Sequence, residues 1–251
     1  MIVSSNGKKP KIHSSCYVAP SATVSGDVTI GSGSAVLAGA AIVAEGAPIS
    51  IGSDTVIMEN AVLKASGGSA LQFPLSIGDR CIVGPHAYVV GATVGEGCFV
   101  ASGAKIFNGA ALESGCGVAL GAIVHVNARL AEGTTVPMLH IAAGNPAAIV
   151  PPEKASAVAA GLKFYETVFN LPAGEDARGR AAETYAKFLR KVHARDAVAA
   201  EHRASAPVRR SGEEPPPTQV AEVDKVVDVM MLELEEMEHR RQEAIKRQKR
   251  R

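Results

Sequence analysis

The 251-residue chain carries 26 Lys and Arg against 25 Asp and Glu, a balance that gives no electrostatic basis for binding nucleic acid or an anionic membrane. Hydrophobic residues make up 47%, yet aromatics only 4% and Trp is absent, so the core must be built from small and aliphatic side chains. No apolar run approaches membrane-spanning length, and Met1–Ser15 lacks the apolar segment of a secretory signal; a cytoplasmic protein without membrane insertion is expected.

Residues 1–10 form a polar lead-in suited to a loop or a short capping strand. From Ile12 an aliphatic residue returns at every sixth position: Ile12, Val18, Val24, Ile30, Val36, Ile42. The rhythm resumes at Ile51, Ile57, Leu63, again at Ile77, Val83, Val89, and then runs from Val94 to Val136. A helix repeats at three and four and a hairpin sheet at two, so a strict six fits neither. It fits a hexapeptide β-helix, in which three short strands make one triangular coil of about 18 residues and coils stack on one another. About seven coils are expected within residues 1–150. The residue two before each aliphatic is compact, as at Cys16, Ala22, Ser34, Cys81, Cys98 and Cys116, and is expected to point inward beside it. That slot, and the lack of any Cys-x-x-Cys pair, marks the cysteines as buried hydrophobes rather than zinc ligands.

Three breaks interrupt the period: Glu45–Pro48, Ala65–Ser76 and the short step from Val89 to Val94. Insertions in a solenoid gather on one face and mark where it binds. Residues 151–204 read as capping helices, one over Ala155–Asn170 and one over Ala181–Arg203 with Tyr185, Phe188, Leu189 and Val192 on one side. Residues 205–219 are a Pro-rich, charged linker. Within 220–251, Val220, Val223, Val227, Met230, Leu234 and Met237 follow an a/d heptad seam, and the segment ends in a basic run. This coiled-coil-like helix is the candidate for self-association or for docking a protein partner.

Four segments carry a family resemblance: GDVTIG (26–31), AEGAPISIGSDTVIMENAVLK (44–64), SIGDRCIVGPHAYVVGATVGEG (76–97) and AAGNPAAIVPPE (142–153). Through them the chain resembles the γ-class carbonic anhydrase-like branch of the left-handed β-helix, hexapeptide-repeat (isoleucine patch) superfamily. The resemblance implies a mainly β, left-handed parallel β-helix with C-terminal helices, assembled as a homotrimer. It also implies a zinc ion held by three His across the trimer interface. At the positions corresponding to those His this chain has Lys64, Pro85 and Val90, and the family's Arg-Gly-Asp segment reads Val43-Ala44-Glu45. Glu45, Met58, Lys64, Pro85, Tyr88 and Val90 therefore outline the interface cleft, and no metal ligand is assigned.

His86 stands one residue from a ligand position, where alternation of side chains turns it to another face unless a bulge intervenes. His125, in Val124-His125-Val126, is expected on the outside of a strand. Both are candidate catalytic residues: His86 as a residual ligand or base near Lys64 or Tyr88, either His as general base toward an acceptor. His13 and His140 are read as edge or cap residues. Three functions follow. The first is a trimeric binding or assembly scaffold without carbonic anhydrase activity. The second is a hexapeptide-type acyltransferase using a CoA thioester. The third is a metal-dependent hydratase with rearranged ligands.

Overall fold

The computed structural model describes residues 1–67, 72–160, 166, 168, 171 and 176–199. Residues 1–206 form one compact unit; the heptad segment lies in the second, 207–251, outside the described residues.

The sixfold period becomes a left-handed β-helix with three faces. Each turn of the first coils lays down one strand per face: Ile2–Ser4, Lys11–Ile12 and Tyr17–Val18 begin the first, second and third faces. The second and third faces each hold seven parallel strands, ending at Arg129–Leu130 and Thr135–Val136. The first face runs on to Ile141–Ala143, where Ala148–Val150 folds back antiparallel and closes the far end. In-register stacking puts like over like: Ile42 pairs with Leu63, Leu63 with Val89, Val89 with Ile106 and Ile106 with Val124. All five are fully buried. Each contributes about 1.5–3 kcal/mol by leaving water, but only because a neighbouring coil covers it.

The compact slot holds a second ladder. Cys16, Ser34, Thr55, Cys81, Cys98 and Cys116 lie one above another, and each donates to a carbonyl at the corner of the next coil. Ser34 Oγ reaches the Gly52 carbonyl at 2.9 Å, and Thr55 Oγ1 the Gly78 carbonyl at 2.9 Å. The Cys81 thiol reaches Gly95 at 3.1 Å. These side chains satisfy backbone groups that a purely aliphatic core would strand. All four cysteines are free and buried. A thiol reagent is accordingly expected to find none in the native protein and all four after denaturation; rapid labelling of even one under native conditions would contradict this packing.

The C-terminal elements differ from the expectation. A 3-10 turn, Pro152–Lys154, leads into a helix described over Ala155–Ala160; the rest of the expected helix to Asn170 lies largely outside the described residues. The second helix spans Ala177–Val192, not Ala181–Arg203, and His193 ends it. Ala197–Ala199 is a strand, paired antiparallel with Ile2–Ser4. Helix Ala177–Val192 does not lie over the open end of the stack. It packs on the side of the first face, with Ala181 and Val192 buried and Phe188 against Gly46. We call helix Ala177–Val192 and strand Ala197–Ala199 the strap.

Candidate functional site

The interruptions of the period meet on the first face. Strand Ala41–Glu45 runs beside Val62–Gly67 with Val43 opposite Lys64 and Glu45 opposite Ser66. Lys64 in turn lies opposite Val90. Two of the implied ligand positions are thus side by side on adjacent coils. The Ala65–Ser76 break opens as a continuation of its strand, and Ser66 and Gly67 pair antiparallel with Phe73 and Gln72. Residues 68–71 lie outside the described part.

Lys64 is the centre of the polar contacts. Its Nζ lies 2.8 Å from Glu45 Oε2 and donates to Tyr185 Oη at 2.6 Å. Tyr185 donates to Glu45 Oε2 at 2.9 Å. The other carboxylate oxygen, Oε1, is 3.6 Å from His193 Nε2, while His193 Nδ1 lies 2.7 Å from Asp196 Oδ2. The side chain of Glu45 is only 9% exposed and that of Lys64 21%. A charge this deep requires a partner, and the strap supplies most of them. Burial pulls the Lys64 ammonium down, but the bonds to Glu45 and Tyr185 outweigh it and hold its pKa above the ordinary value. Burial raises the Tyr185 phenol, with Glu45 adding to it against Lys64. Both groups stay protonated at neutral pH, so the cluster offers neither a free amine nor a phenolate as nucleophile.

The linkage has a defined sign. Lys64 and Tyr185 hold their protons more tightly folded than in the unfolded chain, so their contribution is intact below about pH 10, near the ordinary values of 10.5 and 10.0. It is lost as pH rises through the elevated folded values. Denaturant midpoints are expected to drop above that pH more steeply in the natural protein than in Lys64→Met/Tyr185→Phe; identical alkaline slopes would show that the cluster carries no linkage.

The remaining cleft residues are dispersed. Pro85 and His86 sit at the corner between the third and first faces, and Met58 lies one coil below. His86 adopts φ 56°, matching Asn60 one coil below, and its side chain is exposed. This left-handed turn, not a bulge, takes it away from Lys64: no hydrogen bond or ion pair joins them. Tyr88 sits opposite Val62 and packs against Phe107, ring centroids 6.2 Å apart. His125 projects outward as expected. It stands three coils beyond Lys64 in the same column, about 14 Å at ordinary strand spacing, and burial lowers its pKa. The structure therefore does not bring His86, His125 and Lys64 together within one chain. His140 Nδ1 contacts the Met138 carbonyl at 2.8 Å and His13 pairs with Ser15, as turn residues do. Among the described residues, no three His, Cys, Asp or Glu side chains converge to hold a metal ion. Nor is any helix there long and apolar enough to cross a membrane.

Tyr185, His193 and Asp196 are absent from the sequence-derived site. The one available signal was Lys64 itself, an outward Lys flanked by Val43 and Val90, which demands a counter-charge without saying from where.

No protein-family model matches the chain. Among curated proteins it is 32% identical over 192 residues to γ carbonic anhydrase 1, mitochondrial, of Arabidopsis thaliana, covering 74% of this chain and 68% of that one. The chain belongs to the γ-carbonic anhydrase family. This family member is also 32% identical over 193 residues to γ carbonic anhydrase 2, mitochondrial, of the same plant, covering 75% and 67%. A solved hexapeptide transferase family protein from Anaplasma phagocytophilum aligns at 20% identity over 76% of this chain and 96% of its own, with a TM-score of 0.42.

Proposed function

We propose that this γ-carbonic anhydrase-family protein is a homotrimeric binding or assembly scaffold that lacks the family's zinc triad and does not hydrate carbon dioxide. The observation that carries the reading is the state of Lys64. Its ammonium is committed to Glu45 and Tyr185 and has no lone pair to give. Its two companion positions, Pro85 and Val90, have no side-chain donor atom. These residues do not fit a zinc ion, which needs three neutral or anionic donors around an open fourth position.

Trimerisation is supported by the unequal faces. The outward column of the second face is polar for most of its length, with Lys11, Thr29, Ser50, Ser76 and Thr93. That of the third face is Tyr17, Ala35, Val56, Ile82 and Phe99, with Tyr17 48% and Phe99 51% exposed. The outward column of the first face is mixed: Thr23, Ala41, Val62, Tyr88, Lys105 and Ile123. A closed ring of three uses two different faces per subunit and leaves the remaining one to solvent; the apolar third face supplies one of the two and the polar second face suits solvent. Residues 220–251 are the segment for a partner or for self-association; removing them is expected to leave the solenoid folded and to weaken that association.

The test combines light scattering with carbon dioxide hydration and CoA binding. A trimer, a hydration rate at the uncatalysed background and an unchanged melting temperature with CoA are expected. A monomer removes the assembly reading; measurable hydration removes the inactive one. Stabilisation by CoA, which mass action requires of any native-state ligand, would place the protein with the transferases.

A further inference from the structure

The strap helix ends on a titratable side chain held between two acids. His193 caps helix Ala177–Val192, its backbone N–H donating to the Leu189 carbonyl. Ring nitrogen Nδ1 lies 2.7 Å from Asp196 Oδ2, on the strap itself, and Nε2 lies 3.6 Å from Glu45 Oε1, on the first face. A neutral imidazole carries one N–H, so either tautomer leaves one of these carboxylates facing a ring lone pair. The distances show which one. The Asp196 contact is a full hydrogen bond, and the Glu45 contact is longer than one. Only the charged ring has a donor for both.

The surrounding charges favour that form. Glu45 and Asp196 are negative and Lys64 is positive, so the cluster is one charge short of neutral until His193 takes a proton. The helix C-terminus brings its negative end to the same point. Opposing it are Lys64, which shares Glu45 with the ring, and Arg190 and Lys191 in the last turn of the helix. Tyr185 is uncharged and bonded to Glu45. The His193 side chain is 33% exposed, so a proton reaches it from solvent while the strap stays in place.

We propose that His193, Glu45 and Asp196 form a proton-operated clasp between the strap and the first face. A second proton, on Nε2, makes the missing bond to Glu45 and tightens the strap where it lies. Proton uptake and closure of the clasp favour each other by linkage. The contribution of the clasp is therefore complete at the acid end of the imidazole range and is lost toward the alkaline end. That window lies below the one in which Lys64 and Tyr185 give up their protons, and the clasp does not depend on the scaffold reading.

The test uses the full chain with Ala181→Cys, a reporter at a buried position of the strap helix; the four native cysteines are buried. Its labelling by a thiol reagent is timed at about pH 6 and about pH 8, the span over which imidazoles change charge. Dividing each rate by that of glutathione at the same pH removes the pH dependence of the thiol itself and leaves the frequency of local opening. Opening is expected to be about fivefold rarer at the lower pH. His193→Gln in the same background should remove the difference. Val192→Cys, also buried, reports from the same helix if Ala181→Cys misfolds. Equal or more frequent opening at the lower pH overturns the proposal, as does a difference that persists in His193→Gln.

Discussion

Glu45→Ala is expected to destabilise the protein by about 3 kcal/mol, the cost of leaving one member of a largely buried ion pair without its partner. Glu45 is bonded to Lys64 and Tyr185 and faces His193, so its removal takes out the strap's polar anchor in one step. Two readouts separate this from ordinary surface truncation. Limited proteolysis should cut the strap between Ala177 and Ala199 before it cuts the solenoid. Lys64→Met in the Glu45→Ala background should recover much of the loss, because the stranded charge is then gone. A double variant as unstable as Glu45→Ala alone would place the cost in packing around Phe188 and Gly46, not in the charge.

Gly78→Val is expected to cost about 3 kcal/mol or to prevent folding, by overpacking where nothing can move aside. A Cβ at Gly78 would meet Glu96 N at 2.7 Å and the Gly95 carbonyl carbon at 2.8 Å, both backbone of the next coil. Gly31, Gly52 and Gly95 face the same restriction from the coils beyond them. The requirement is for close approach of coils, not for an unusual φ. Gly97 supplies the contrast: its φ is +65°, but nothing lies within 4 Å of an added Cβ. Gly97→Asn should therefore cost about 1 kcal/mol or less, since Asn tolerates the left-handed region. Urea midpoints compare the two; equal losses would contradict the stacking argument.

The fold was legible because the period is redundant. Ile42, Leu63, Val89, Ile106 and Val124 each repeat one local rule, and a stack of coils is close to a one-dimensional structure. Cys16, Cys81, Cys98 and Cys116 were readable as one inward slot for the same reason. What they do there was not readable: the bonds to Gly31, Gly95, Glu113 and Ala131 need the corner geometry of the next coil. The end of the strap helix was misplaced because residues 193–203 keep helix-compatible composition. Pairing of Ala197–Ala199 with Ile2–Ser4 is a contact between opposite ends of the unit, and tertiary context decided it. The site was half legible. Glu45 and Lys64 came from the family resemblance, at or beside breaks in the period, but Tyr185, His193 and Asp196 arrive from more than a hundred residues away, carried by a strap whose docking no local pattern specifies. A left-handed turn at His86, and not simple strand alternation, aims its side chain away from Lys64.

This γ-carbonic anhydrase-family chain keeps a committed ammonium at Lys64, where a zinc ion needs a donor. The most direct measurement is metal content, by mass spectrometry, of the purified full-length protein after dialysis against zinc and then against buffer. Far less than one zinc per chain is expected, with no change in metal content on Lys64→Met. One tightly held metal per chain, lost on replacing His86 or His125, would contradict it.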